Sequence, residues 1–137
     1  MLEQFKFINK DRDYVKQLQT EVGAVADGIY GPATHAKARE YYDMPIMFHM
    51  GKVVPIDAPA EIDMSAPLHE LDDGTQNWYL RKKDPDSICV HWGGLNSRHC
   101  YNVFNMASGR HVSSHFLIGR NHKTGEYEIL QCLDTGL

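Results

Sequence analysis

The stretch Asp27-Gly28-Ile29-Tyr30-Gly31-Pro32-Ala33-Thr34 constrains the fold of this chain more than any other, because it specifies a tight turn that runs directly into a helix. Asp-Gly favours a turn with a positive φ at the glycine. Proline suits the first helical position, where its fixed φ fits and its missing N–H costs nothing. Upstream, Tyr14, Val15, Leu18 and Val22 recur at helical spacing, which predicts one apolar face on a helix started by Asp11 or Asp13 and ended at Gly23. Downstream, Ala33, Ala36, Ala38 and the Tyr41-Tyr42 pair predict a second helix running to about Asp43. Met44-Pro45 closes it, since the residue before proline is pushed out of the α region.

A different composition begins there. Residues 46–75 contain Pro55, Pro59 and Pro67, with Lys52 as the one basic residue against six acidic ones. The stretch over residues 70–74 suits a solvated loop, and residues 46–75 are expected to be a linker or surface extension. Within it, Lys52-Val53-Val54-Pro55-Ile56 has the content of a short edge strand.

Beyond it the pattern turns to strands. Ser87-Ile88-Cys89-Val90-His91 has the length and β-branched content of a buried strand, with Cys89 and His91 on one face and Ile88 and Val90 on the other. Trp92-Gly93-Gly94 would end it. Residues 98–107 are expected as a helix with Cys100, Tyr101, Val103, Phe104 and Ala107 on its apolar side. A hairpin is expected next, with strands over 112–120 and 126–132 joined by a turn at Asn121-His122-Lys123-Thr124-Gly125. The fold class is α+β: a small helical module over residues 1–45, then a mixed sheet with at least one helix over residues 76–137.

The net charge of −4 is unevenly spread, with 7 basic and 13 acidic groups in residues 1–75 against 7 and 5 in residues 76–137. No Lys/Arg cluster is interleaved with aromatics, so nucleic acid is not an expected partner. No apolar run approaches the roughly 18 residues that span a bilayer, so no membrane insertion is expected. The amino terminus lacks a secretory pattern, which leads to the expectation of synthesis in the cytoplasm. Cys89, Cys100 and Cys132 are an odd number without CxxC spacing, so free thiols are the expectation.

Val15-Lys16-Gln17-Leu18-Gln19 through the Asp27 to Thr34 turn resembles the peptidoglycan-binding type 1 module, whose hallmark is an LQ helix followed by a DG-I/F-GP-x-T turn; the likeness covers roughly residues 9–43. It implies peptidoglycan as the partner, with Asp27, Gly28 and Tyr30 as substrate-binding residues. Tyr30, Tyr41 and Tyr42 are open to two readings, as platforms for sugar rings or as core.

Ile88-Cys89-Val90-His91, then Val112-Ser113-Ser114-His115-Phe116-Leu117-Ile118 and Gly125-Glu126-Tyr127-Glu128-Ile129, resemble the first half of the type 2 N-acetylmuramoyl-L-alanine amidase fold shared with peptidoglycan recognition proteins. Phage endolysins and autolysins combine the two modules. The resemblance implies zinc-dependent hydrolysis of the amide between the lactyl group of N-acetylmuramic acid and the first L-alanine of the stem peptide, and so lysis of the bacterial cell wall. In that chemistry one Zn2+ with three protein ligands polarises the carbonyl and activates water. His91 matches the first ligand position, and the others are expected beyond Leu137, so the chain is read as an amino-terminal fragment. Ser114 stands where some relatives carry a tyrosine, and His115 matches a histidine that is not a metal ligand.

His91, His99, Cys100, His111 and His115 are suitable zinc ligands in type, but their spacing matches no standard framework. A non-catalytic peptidoglycan-binding protein is the alternative function. A structural or interaction protein without wall contact is the third.

Overall fold

A computed structural model of the protein describes residues 5–63, 82–91, 96–104, 114–133 and 135–136. It is mixed in class, with helices and two small sheets. No helix among the described residues is long and apolar enough to cross a membrane.

The first helix, α1 (Arg12–Glu21), begins where the Asp11 carboxylate accepts the Tyr14 N–H at 3.0 Å, an N-cap that satisfies one of the orphan donors of the first turn. Val15, Leu18 and Val22 are buried along the predicted face, and Gly23 follows at φ +74. The second helix, α2 (Pro32–Tyr42), has Pro32 in its first turn and Asp43 in a left-handed conformation at its end. Both helices sit where the sequence placed them.

A hairpin follows, β1 (Ile46–His49) against β2 (Lys52–Pro55), antiparallel with His49 opposite Lys52. Met50 and Gly51 make the connection with φ of 51 and 69, the two-residue geometry whose twist matches that of paired strands. The edge strand expected at residues 52–56 is thus present over residues 52–55. Residues 46–63 are not the expected linker, however. Ile46, Phe48, Val53 and Ile62 join Phe5, Ile8, Val15, Leu18, Val22 and Tyr30 in one core cluster. The hairpin is also tied to α1 by polar contacts, the Val53 N–H donating to the Tyr14 hydroxyl at 2.9 Å and Lys52 pairing with Asp11 while lying 3.8 Å above the Tyr14 ring. The part of the expected loop at residues 70–74 lies outside the described residues.

The second sheet is mixed, in the order β3 (Ile62–Asp63), β5 (Tyr127–Gln131), β4 (Phe116–Arg120), with β3 parallel and β4 antiparallel to β5. Its hairpin turns at residues 121–125 as predicted, although β4 begins only at Phe116. Residues 112 and 113 lie outside the described residues. The central position of β5 explains the burial of Ile129, Leu130 and Gln131. The helix α3 (Ser97–Phe104) packs on β4, where a Cβ added to Gly119 would lie 3.3 Å from the Ser97 backbone and side chain. A side chain at residue 119 would require Ser97 to give way by a few tenths of an ångström.

One expected strand does not form. Residues 84–91 have no regular secondary structure, and Ile88 and Val90 are 92% and 89% exposed. β-branched side chains favour a strand only through packing against neighbours on a pleated surface, and among the described residues these side chains have no such neighbours. The expected Trp92-Gly93-Gly94 turn, and residues 105–107 of the expected helix, lie outside the described residues.

The two sheets are joined by Gln131, whose side chain is 0% exposed. Its Oε1 accepts the Phe48 N–H at 2.8 Å, and its Nε2 donates to the Phe48 carbonyl at 2.8 Å and to the Leu133 carbonyl at 2.9 Å. The side-chain amide thereby stands in for a neighbouring strand at Phe48, and the Thr135 N–H also donates to the Phe48 carbonyl.

His35 makes the core pH-sensitive. Its ring lies against Phe5, and its Nδ1 is 2.9 Å from the Tyr30 hydroxyl. Burial first, and then Arg39, push its pKa down to about 4. The unfolded chain binds this proton near pH 6.5 and the folded chain only near pH 4. Stability is therefore complete above pH 6.5 and falls as pH drops toward 4, by about 2–3 kcal/mol after discounting for partial solvent access. Urea denaturation at several pH values is expected to show this slope, and His35→Phe to flatten it.

Candidate functional site

The Asp27 to Thr34 turn is organised from beneath by one buried side chain, Gln19, which is 1% exposed on α1. Its Nε2 donates to the Asp27 carboxylate at 2.8 Å, the Ile29 carbonyl at 3.0 Å and the Thr34 hydroxyl at 3.0 Å. Its Oε1 accepts the Gly28 N–H at 2.8 Å. Two amide protons serve three acceptors, so one proton is shared. Both polar atoms of the buried amide are thereby hydrogen-bonded, as burial requires. The spacing from Gln19 to Asp27-Gly28 and on to Thr34 is thus the footprint of one amide clamp.

A second amide clamps the other side. Asn9 donates to the carbonyls of Phe5 and Tyr30 at 2.9 and 2.8 Å, and its Oδ1 accepts the Tyr30 N–H at 2.6 Å. Asn9 carries no periodic or motif signal, which is why sequence reasoning missed it.

The three residues expected to bind substrate are placed differently from one another. Asp27 is exposed, and its carboxylate takes hydrogen bonds from Gln19 and from the Ile29 N–H, which hold its pKa below the usual carboxylate range. Gly28 is buried at φ +76, where an added Cβ would lie 3.2 Å from Lys16 Cε and 3.3 Å from Arg12 Nε. Tyr30 is 1% exposed and packs edge-on against Phe5 and Phe48. Its ring offers no face to a ligand, so the expectation of substrate contact by Tyr30 is corrected to a core role. Tyr42 is half-buried and donates to Glu21, and Tyr41 is exposed beside it at the end of α2.

His91 lies in the exposed, irregular segment described above, next to Cys89 and Val90. His99 is exposed on α3, with Nδ1 3.0 Å from the Asn96 amide and its ring parallel to that of His122 at 6.0 Å between centroids. The main-chain carbonyl of His115 accepts the Cys132 N–H at 2.8 Å. His111 lies outside the described residues. Among the described residues, no group of three or more His, Cys, Asp or Glu converges as a zinc ion requires. These residues alone do not make the metal centre that the resemblance implies, and no catalytic step follows from them. Cys89, Cys100 and Cys132 are free thiols, and burial pushes the Cys132 thiol up to about 12, which keeps it protonated and unreactive.

A polar network at the base of α3 escaped the sequence reading. Arg98 pairs with Asp63 at 2.7 Å and with Glu128 at 3.1 Å, and Glu128 also accepts from the Ser97 hydroxyl and, at 3.0 Å, from the Asn121 amide. Burial raises the Glu128 pKa, but the hydrogen bonds from Ser97, Arg98 and Asn121 outweigh it and hold the carboxyl below its ordinary range. The network links β3, α3 and β5 and leaves Glu128 ionised and fully engaged. It is a fastening between elements and holds no spare proton for acid–base work.

Comparison of the chain with protein-family models, with curated proteins and with solved structures finds no match.

Proposed function

We propose that this chain binds bacterial peptidoglycan through the module built by α1, the Asp27 to Thr34 turn and α2. The observation that carries the reading is the Gln19 clamp. The residues on which the likeness to the peptidoglycan-binding type 1 module rests, Gln19, Asp27, Gly28 and Thr34, are joined by hydrogen bonds to one amide, so the motif is a coherent physical unit and not a scatter of common residues. Such a clamp fixes the shape of an exposed turn and leaves its outer face available, which is how a rigid scaffold presents a binding loop.

A second reading, zinc-dependent hydrolysis of the N-acetylmuramoyl-L-alanine bond, is the one the sequence likeness to the amidase fold suggests, and the antiparallel β4–β5 hairpin is compatible with it. In that reading His91 is the first metal ligand.

Co-sedimentation of the purified chain with insoluble peptidoglycan tests the first reading. The chain is expected in the pellet with peptidoglycan and in the supernatant with chitin, and recovery in both supernatants would overturn wall binding. Zinc content by elemental analysis, with release of stem peptides from the same walls, tests the second. It requires both to appear and both to fall on His91→Ala.

A further inference from the structure

The proposed wall-binding module carries a surface whose chemistry selects among the parts of peptidoglycan. Arg12 and Lys16 lie one helical turn apart on α1, and both side chains are drawn across Gly28, within 3.2–3.3 Å of the position a Cβ would take. Arg12 is anchored there by donating to the Asp27 carbonyl at 3.2 Å. Among the described residues the Lys16 ammonium has no acidic partner. Beside these cations the same loop exposes two aliphatic side chains, Val25 at 80% and Ile29 at 49%. The one carboxylate in the loop, Asp27, is already engaged by Gln19 and the Ile29 N–H.

A stacking platform for a sugar ring needs an aromatic face turned to solvent, and this turn has none. Tyr30 is buried, Tyr14 is half-buried with Lys52 over its ring, and the Tyr41-Tyr42 pair sits at the far end of α2. Two cations beside aliphatic side chains complement a different ligand, a free carboxylate flanked by small alkyl groups. In peptidoglycan that chemistry belongs to the alanine-containing stem peptide.

We infer that Arg12 and Lys16, with Val25 and Ile29, form a subsite for the carboxylate-bearing stem peptide and not for the glycan strand. The inference rests on the proposal that the chain binds peptidoglycan. Lys16 supplies the uncommitted charge, Arg12 a charge fixed by the turn, and Val25 and Ile29 the contact for methyl groups. The bond is electrostatic at its core, so affinity falls with ionic strength.

Three probes separate the outcomes: whole insoluble peptidoglycan, glycan strands stripped of peptide, and soluble stem peptides released from the same walls. The wild-type chain is expected to sediment with the first, to stay in solution with the second, and to be displaced from the first by the third. Lys16→Glu is expected to weaken binding to whole peptidoglycan at least about ten-fold at low salt, and Lys16→Arg to retain it. Val25→Ser is expected to weaken binding several-fold without changing its salt dependence. Lys16 and Val25 are exposed, so circular dichroism should show all three variants folded. Equal binding to peptide-free glycan, or unchanged affinity in Lys16→Glu, would overturn the subsite. Failure of the wild-type chain to sediment with whole peptidoglycan would instead overturn the reading on which it rests.

Discussion

Gln19→Leu is expected to destabilise the chain by about 3–5 kcal/mol, read as a lower urea midpoint with an unchanged slope. Leucine fills a similar volume, so the loss comes from polar groups left behind and not from a cavity. The Gly28 N–H is buried and loses its acceptor, and the Thr34 hydroxyl keeps only a 3.4 Å contact with the Ile29 carbonyl. An unsatisfied buried donor or acceptor costs about 1–3 kcal/mol. Gln19→Glu separates charge from shape. Its carboxylate would face that of Asp27 at the distance now spanned by a hydrogen bond, so the variant is expected to be weakest at neutral pH and to recover partly as the pH falls and one carboxyl takes up a proton.

Gln131→Leu is the second large effect, about 2–4 kcal/mol, and it should act on one seam. Gln131 is the acceptor for the Phe48 N–H, whereas the Phe48 carbonyl keeps the Thr135 N–H at 3.2 Å. The orphaned groups are therefore the Phe48 amide and the Leu133 carbonyl. Hydrogen exchange at Phe48 is expected to accelerate far more than at Val15 or Leu18, whose amides belong to α1. Uniform acceleration across α1 would mean that the hairpin and the sheet do not meet at a local joint.

How much of this was legible depended on whether the signal was local. The helices were, because an Asp cap, a positive-φ glycine, a first-turn proline and a Met-Pro stop are each written within a few residues. The β4–β5 turn was legible for the same reason. The hairpin was half legible. Its second strand was expected, but β1 was missed because Met50-Gly51 carries no Asn-Gly or Asp-Gly signature and Met50 adopts a left-handed conformation that methionine rarely takes. The Ser87 to His91 segment failed in the opposite way: its side chains suit a strand, but a strand also needs a neighbour.

In the candidate site, the turn itself was written in the sequence, but the placement of its parts was not. Tyr30 was open to two readings from sequence, sugar platform or core, and what decides for the core is its packing against Phe5 and Phe48, which come from elsewhere in the chain. The cations over Gly28 went unremarked because nothing within the helix sequence shows that Arg12 and Lys16 lie over the turn. Their meaning appears only once α1 and the turn are seen face to face. The Arg98–Glu128 network joins residues that are remote in sequence, and so carried no local signal.

The most direct test of the account is a titration of the isotopically labelled chain with soluble peptidoglycan fragments, followed by amide chemical-shift changes. Wall binding through the clamped turn predicts saturable shifts centred on Val25, Asp27, Gly28 and Ile29, extending to Arg12 and Lys16, with residues 97–131 little changed. No saturable shift, or shifts confined to residues 97–131, would contradict it.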